Sequence, residues 1–277
     1  MKSCYIFSDK NLAYLQEIIA TKFKKVEIFK ITPDENDKKN LINLNEKEFF
    51  LKFIDKFEEL KEGSDFVIVV GCEGFSVFGK SELNLKLARN LNAPVFDENA
   101  SELRALNLNS KLLITDNFDE ILSYKAEIIT PFKFQSLLLK RAKAANKTVV
   151  LPESDDERIL KAAHIVLEKG AANIILLGLE SEISKKAATL GLNLSKAKVL
   201  NPEQNELTDE FAKKIYELRK HKGVDEAKAN ALAKDKIYFA TMLIHEGMAD
   251  ALVSGATMST ADTIRPALQI IKTKPNV

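Results

Sequence analysis

The chain alternates short apolar segments with amphipathic helical segments, and this alternation is the feature that most restricts its fold. Between residues 148 and 200, three apolar runs of strand length are separated by two segments with apolar residues at helical spacing. The order strand–helix–strand–helix–strand requires parallel strands joined by right-handed crossovers. Residues 3–7, 26–31 and 66–70 have the character of buried strands in the first part of the chain. We therefore predict an α/β fold of two largely parallel sheets, each flanked by helices.

The composition changes abruptly near residue 130, and this change indicates two domains. Fourteen of the sixteen phenylalanines lie at or before Phe134, whereas alanine is sparse before that point and frequent after it. We predict an N-terminal α/β domain over residues 1–130, with a regulatory or assembly role, and a second domain over residues 131–277. Further strands are expected at 94–96, 111–115, 148–151, 173–177, 197–200 and 251–253. Helices are expected at 12–23, 46–60, 81–91, 131–145, 181–190, 206–221, 225–234 and 237–246.

Charge, hydropathy and cysteine usage exclude several classes of protein. Lys and Arg number 41 against 40 for Asp and Glu, so the net charge of +1 gives no field for a polyanion, and nucleic acid is not an expected partner. No apolar run approaches the roughly 20 residues of a membrane span, and the first residues lack an apolar signal core, so we expect no membrane partner and a cytoplasmic protein. Cys4 and Cys72 lie far apart, without metal-ligand spacing to the three histidines. We expect no disulfide scaffold and no metal site.

The most informative segment is ALVSGATMSTADTIRPALQIIK, residues 251–272. A short apolar strand leads into small and hydroxyl residues, and Asp262 then opens a predicted helix with Arg265 in its first turn. Small residues let a backbone approach an anion, free N–H groups and hydroxyls donate to it, and the helix dipole and an arginine attract it. This pattern predicts a phosphate site. An ordinary strand–helix connection with hydroxyl capping fits the same residues, and the two interpretations remain open.

Arginine is rare in this chain, which makes the position of each arginine informative. Only six of the 41 basic residues are arginine, and a guanidinium alone offers a fixed bidentate fork to phosphate. Arg158 follows strand 148–151 in the first turn of a helix that SDDE, residues 154–157, would open as a capping box. Arg219 lies in YELRKHKG at a helix end. An ion pair with a neighbouring aspartate would equally explain Arg158, and compensation of the helix dipole would explain Arg219.

A second motif lies in the first domain. GFSVFGKS, residues 74–81, fits the pattern G-x-x-x-x-G-K-[ST] of a phosphate-binding loop between a strand and a helix. Three residues separate the strand from the first glycine, and bulky side chains fill the loop, which argues against close approach to a phosphate. We keep nucleotide binding through Gly74, Gly79, Lys80 and Ser81 as an alternative.

Three blocks in order, TVVLPESDDERILKAA, YELRKHKG and YFATMLIHEGMADALVSGATMSTADTIRPALQIIKTK, resemble the phosphate acetyltransferase (phosphotransacetylase) family. The resemblance covers about residue 131 to the end, and the same catalytic domain occurs in phosphate butyryltransferases and at the end of some malic enzymes. The acetyl form is favoured by YELRKHKG and by the N-terminal part, which is similar to a reduced version of the α/β domain of long phosphate acetyltransferases. In those proteins, the strand that matches 66–70 is not the phosphate-loop strand.

The resemblance implies reversible transfer of an acetyl group between acetyl phosphate and coenzyme A, as in acetate metabolism. Coenzyme A would be a substrate, inorganic phosphate the other product, and neither a bound cofactor nor a metal ion is implied. In the family an aspartate is the base for the thiol, and a serine and arginines hold the oxyanion and the phosphate. By motif position, Arg265 and Arg219 would hold phosphate oxygens, Thr260 and Ser259 would donate to the same anion, and Arg158 would support them.

The resemblance also sets expectations about the rest of the domain. The family's domain continues beyond the position of Val277, and its catalytic serine and aspartate lie in that continuation. We therefore expect a fragment or truncated form that lacks transferase activity by itself. The alternatives are a nucleotide-binding regulatory module, a phosphate butyryltransferase-type enzyme, or an assembly domain whose Phe-rich part makes subunit contacts, because long phosphate acetyltransferases are similar to oligomeric enzymes. We expect a homo-oligomer.

Overall fold

The computed structural model describes residues 2–74, 79–107, 110–125 and 127–273. The chain forms two compact units, Met1–Leu138 and Leu139–Val277. The division falls inside helix 131–145, which the sequence assigns as a whole to the second domain. Across the described residues, no helix is long and apolar enough to cross a bilayer.

The first unit contains a parallel five-stranded sheet with the strand order β2-β3-β1-β4-β5. Its strands are β1 (Lys2–Ile6), β2 (Val26–Lys30), β3 (Phe66–Val70), β4 (Val95–Phe96) and β5 (Ile114–Thr115). Its helices are α1 (Leu12–Ala20), α2 (Glu35–Ile42), α3 (Glu46–Glu62), α4 (Lys80–Leu91), α5 (Ala100–Leu106) and α6 (Phe118–Ser123), and α7 (Pro131–Ala145) leads into the second unit.

Phenylalanine side chains fill the core on both faces of this sheet. Every residue of β3 is buried, which explains its uninterrupted apolar run, because a central parallel strand is covered on both sides. On one face, α3 packs Phe49, Phe53 and Phe57 into a cluster. On the other face, Phe66 packs with Phe118 of α6. The aromatic bias of the first part of the chain thus builds its core.

The second unit contains a parallel four-stranded sheet with the strand order β8-β7-β6-β9. Its strands are β6 (Thr148–Leu151), β7 (Asn173–Leu177), β8 (Lys198–Leu200) and β9 (Ala251–Leu252). Its helices are α8 (Glu157–Glu168), α9 (Glu180–Thr189), α10 (Glu206–Arg219), α11 (Glu226–Lys234), α12 (Lys236–His245) and α13 (Thr260–Ile270). The predicted α/β class, with two largely parallel sheets flanked by helices, is confirmed.

The strand order of the second unit creates a point at which the chain changes direction in the sheet. From β6 the chain adds β7 and β8 on one side, and it later returns to add β9 on the other side. The loops that follow β6 and β9 therefore diverge from neighbouring carboxyl ends. In open α/β sheets such a switch point is where ligands bind.

Two helix starts beside this switch point differ from the sequence prediction. The predicted capping box at residues 154–157 is wrong: Asp156 caps α8 by accepting from the Arg158 N–H. Ser154 is instead buried, and its Oγ donates to Leu177 O at 2.6 Å. Helix α13 begins at Thr260, so Arg265 lies in its second turn and not in the predicted first turn.

Candidate functional site

The loop after β9, residues 254–258, closes around the carboxylate of Glu153 at the switch point. Glu153 Oε2 accepts from Gly255 N at 2.7 Å, from Ala256 N at 3.0 Å and from Ser254 Oγ at 3.1 Å. Glu153 Oε1 accepts three more hydrogen bonds, from Thr257 N at 2.7 Å, Met258 N at 2.8 Å and Thr257 Oγ1 at 2.9 Å. The loop therefore binds an anion, and this anion is the carboxylate of the protein's own Glu153.

The hydrogen bonds from this loop keep Glu153 ionised. Burial of the carboxylate raises its pKa, but the hydrogen bonds from the backbone N–H groups of Thr257, Ala256 and Met258 lower the pKa by more than burial raises it. The pKa of Glu153 therefore lies well below its ordinary value. Glu153 is only 4% exposed. With six donors on two oxygens, the carboxylate has no free lone pair directed toward solvent.

This arrangement changes the interpretation of the loop. The sequence predicts that the N–H groups of residues 255–258 are free to bind phosphate, but in the structure they donate to Glu153. Sequence reasoning missed Glu153, although one signal was present. Glu153 lies two residues beyond β6, at the carboxyl edge where α/β sheets place functional groups.

Arg158 lies against the outside of the same loop. Its Nη2 donates to Ala256 O at 2.7 Å, and its Nε and Nη2 both donate to the carboxylate of Asp156. Asp156 in turn caps α8, and its pKa falls to about 2 mainly because of the hydrogen bond from the Arg158 side chain. The ion pair weighed in the sequence analysis is therefore present, and the same guanidinium also reaches the loop.

The amino end of α13 follows this loop directly. Ser259 caps the helix, its Oγ accepting from Asp262 N at 3.2 Å and donating to Asp262 Oδ2 at 2.6 Å. Thr260 is the first residue of α13 and is exposed. The N–H groups of such a first turn, together with the helix dipole, favour an anion.

Arg219 and Arg265 come from separate helices, α10 and α13, which both pack against α12, the helix of Tyr238. Burial, the largest effect, raises the pKa of the Tyr238 hydroxyl, and the charges of Arg265 and Arg219 both act to lower it. The hydroxyl donates to Gln269 Oε1 at 2.7 Å. Arg219 ends α10, and its buried Nε has no hydrogen-bond partner among the residues that the structure describes. The helices that carry these two arginines, α10 and α13, pack against each other.

Arg265 is the more exposed of these two arginines. Its side chain is 56% exposed, and its Nη1 lies 3.2 Å from Asp262 Oδ1. It borders a shallow surface depression of about 690 Å³ on α13, lined also by Thr260, Ala261, Ile264, Leu268 and Gln269. The remaining donors of its guanidinium are therefore open to a ligand in this depression.

The nucleotide-binding candidates of the first unit lie at the start of α4. Gly79 caps the helix and Lys80 begins it, so the motif does stand between a strand and a helix. Lys80 Nζ forms an ion pair with Glu73 Oε1 at 2.6 Å. Gly74 and Ser81 flank the same segment, but residues 75–78 of the motif lie outside the described residues. Nucleotide binding here stays a prediction.

The proteins similar to this chain include several phosphate acetyltransferases. A sequence model described as phosphate acetyl/butaryl transferase matches residues 133–277. A phosphate acetyltransferase of Helicobacter pylori is 43% identical over 263 residues, which are 82% of this chain and 51% of that protein. A phosphate acetyltransferase of Thermoanaerobacterium thermosaccharolyticum is 49% identical over 138 residues, which are 50% of this chain and 42% of that protein.

A solved structure gives the same result. A phosphotransacetylase from Streptococcus pyogenes is 36% identical, with a TM-score of 0.51, over 54% of this chain and 45% of that one. The chain spans about half the length of the curated relatives that it matches.

Proposed function

Because the chain belongs to the phosphate acetyl/butaryl transferase family, we propose that its second unit binds the phosphate group in acetyl transfer between acetyl phosphate and coenzyme A. The two relatives that match 82% and 50% of this chain are both named phosphate acetyltransferase, which supports the acetyl form over the butyryl form. Coenzyme A enters this reaction as a substrate and inorganic phosphate leaves as a product. We further propose a cytoplasmic homo-oligomer, on the sequence features and the resemblance given above.

The packing of α10 against α13, and of both helices against α12, is the observation that carries this proposal, because it places the helices of Arg219 and Arg265 side by side. A phosphate or phosphoanhydride group is recognised best by planar guanidinium forks, and two forks from different helices can hold it from two sides.

Thr260 and Ser259 are proposed as further donors to the same phosphate. Both belong to the amino end of α13, where the N–H groups and the dipole favour an anion. Arg158 is proposed as a supporting residue: part of its fork already binds Asp156 and Ala256 O, so it acts mainly by holding the loop before α13.

These residues would act on the leaving group of the reaction. When the thiol of coenzyme A attacks the acetyl carbonyl, the C–O bond to phosphate breaks and negative charge develops on the departing oxygen. Two guanidinium charges stabilise that charge more than they stabilise the bound acyl phosphate, and this lowers the barrier. The proton of the thiol needs a base, and neither Glu153 nor Asp262 fits. Glu153 is saturated with donors, and Asp262 is engaged by Arg265 and Ser259.

The proposal is tested by acetyl-CoA formation from acetyl phosphate and coenzyme A. The assay is run on the 277-residue chain and on the same chain extended by the rest of the family domain, each as wild type, Arg265→Ala and Arg219→Ala. Arg141→Ala, which removes an exposed arginine of α7, is the matched control.

We expect each site variant to lose about 10²–10³-fold in kcat/KM in the active form, as for loss of a single group that stabilises transition-state charge. The control should keep wild-type activity. Absence of acetyl-CoA formation in both proteins would contradict the proposal, and so would equal losses in the site and control variants. Butyryl phosphate, tested in parallel, decides between the acetyl and butyryl forms.

A further inference from the structure

Glu153 is the most heavily hydrogen-bonded side chain at the switch point, and none of the roles above uses it. It reaches from the end of β6 to a loop about a hundred residues later in the chain. Its two oxygens bind every N–H group from Gly255 to Met258 and two hydroxyls. If the loop moved, this buried carboxylate would lose its partners, which is costly, so the loop that surrounds it has one strongly preferred position.

The geometry excludes two direct roles for this carboxylate. A general base needs a free lone pair and a pKa near the working pH, and Glu153 has neither. A residue that contacts substrate must be accessible, and Glu153 is 4% exposed. Any effect of Glu153 on the reaction must therefore pass through the loop that it holds.

The loop connects Glu153 to the residues proposed to bind phosphate. Ser259, the cap of α13, follows Met258 directly, and Met258 N donates to Glu153 Oε1 at 2.8 Å. Arg158 is bound to the loop from the other side through Ala256 O at 2.7 Å. A shift of the loop would therefore move both the amino end of α13 and the guanidinium of Arg158.

We propose that Glu153 is a positioning residue, whose carboxylate fixes loop 254–258 and so places Ser259 and Thr260 to bind a phosphate group, while Arg158 supports the same loop through Ala256 O. This inference rests on the proposed function, because it assigns Glu153 a part in the same site. It goes beyond that function by making phosphate affinity depend on a residue that does not touch the ligand.

The variant Glu153→Gln distinguishes a positioning role from a simple electrostatic effect, because the two predict opposite changes in phosphate affinity. Glutamine removes a negative charge beside an anion site, so electrostatics alone predicts tighter phosphate binding. Positioning predicts weaker binding, since the glutamine NH₂ group cannot accept three of the six hydrogen bonds. Glu157→Gln is the matched control: it removes an exposed carboxylate four residues away, whose partner is Lys161.

The experiment titrates inorganic phosphate into the wild-type chain and both variants by calorimetry, and follows hydrogen exchange of the amides of residues 255–258. We expect Glu153→Gln to weaken phosphate binding about tenfold, which is about 1.4 kcal/mol, and to speed exchange of those amides. Glu157→Gln should change neither. Unchanged or tighter phosphate binding by Glu153→Gln would overturn the inference, and so would amides that stay equally protected.

A milder variant keeps the test decisive if Glu153→Gln unfolds. Thr257→Val removes the hydrogen bond of 2.9 Å that the Thr257 hydroxyl donates to Glu153 Oε1, while the shape of the side chain is retained. We expect about threefold weaker phosphate binding, and an unchanged affinity would overturn the inference. Failure of the proposed function has a different signature, because the wild-type chain itself would then bind neither inorganic phosphate nor acetyl phosphate.

Discussion

The packing beneath the switch point predicts a specific cost for one substitution, Gly178→Ala. Gly178 follows β7 with φ of +153°, a backbone conformation that side chains disfavour. A β-carbon at this position would lie 2.8 Å from Ser154 Oγ and 3.5 Å from Ile183 Cδ1. Ser154 has no room to move, because it is 1% exposed and its Oγ donates to Leu177 O at 2.6 Å.

The magnitude follows from two separate terms. The backbone conformation costs about 1–3 kcal/mol for alanine. Displacement of the Ser154 hydroxyl leaves buried polar groups unpaired, which costs about another 1–3 kcal/mol. We therefore expect Gly178→Ala to lower the free energy of unfolding by about 2–6 kcal/mol. Gly191→Ala is the control: Gly191 also has a positive φ, of +65°, but among the described residues none other than its chain neighbours lies within 4 Å of its added β-carbon, so about 1 kcal/mol is expected.

The assay is urea unfolding followed by circular dichroism, arranged as a double-mutant cycle with Ser154→Ala. In the Ser154→Ala background the close contact is absent, so Gly178→Ala should cost only the backbone term of about 1–3 kcal/mol. An equal cost of Gly178→Ala in both backgrounds would refute the reasoning. A cost no larger than that of Gly191→Ala would refute it as well.

Three further predictions concern pH, the first unit and the nucleotide motif. The pKa of Glu153 is lowered on folding, so its contribution to stability is complete above its unfolded pKa of about 4.3 and is lost as pH falls below that value. We therefore expect the urea midpoint to decrease as the pH is lowered from about 5 to about 3. The decrease should be less steep in Glu153→Gln. Asn84→Ala removes the partner of the Tyr5 hydroxyl and of both backbone groups of Cys72, and circular dichroism should report a loss of about 2–4 kcal/mol, whereas an unchanged urea midpoint would contradict this estimate. If ATP raises the midpoint of thermal unfolding, Lys80→Ala should abolish that rise, and a rise that survives it would remove the nucleotide interpretation.

Much of the fold can be predicted from this sequence because its segments have clear apolar periods. Strands β3, β6 and β7 and helix α7 match the expected residues at both ends. Helices α2, α5 and α6 were not predicted, since they are short and carry few apolar residues at helical spacing. In α2, stability at the start comes from Asp34 and Asp37, which cap each other's N–H groups, and not from a long apolar stripe.

The site was predictable only in part, because its contacts join distant segments. The sequence located the arginines at helix ends from local patterns, and the structure packs α10 and α13, the helices of Arg219 and Arg265, against each other. It did not reveal that Glu153 occupies the N–H groups of the loop, because that contact spans about a hundred residues and leaves no local signature. The capping prediction at Ser154 was wrong for the same reason, because the Ser154 side chain donates a long-range hydrogen bond to the carbonyl of Leu177 in β7.

The central claim is that Arg219 and Arg265 bind one phosphate group, and NMR of the arginine side chains tests it most directly. The chain has six arginines, so the spectrum of their Nε–Hε groups contains only six signals to assign. On titration with inorganic phosphate, and separately with acetyl phosphate, we expect the signals of Arg219 and Arg265 to shift together with a single affinity, while that of Arg141 stays in place. Signals of Arg219 and Arg265 that stay fixed, or that shift with different affinities, would contradict the account.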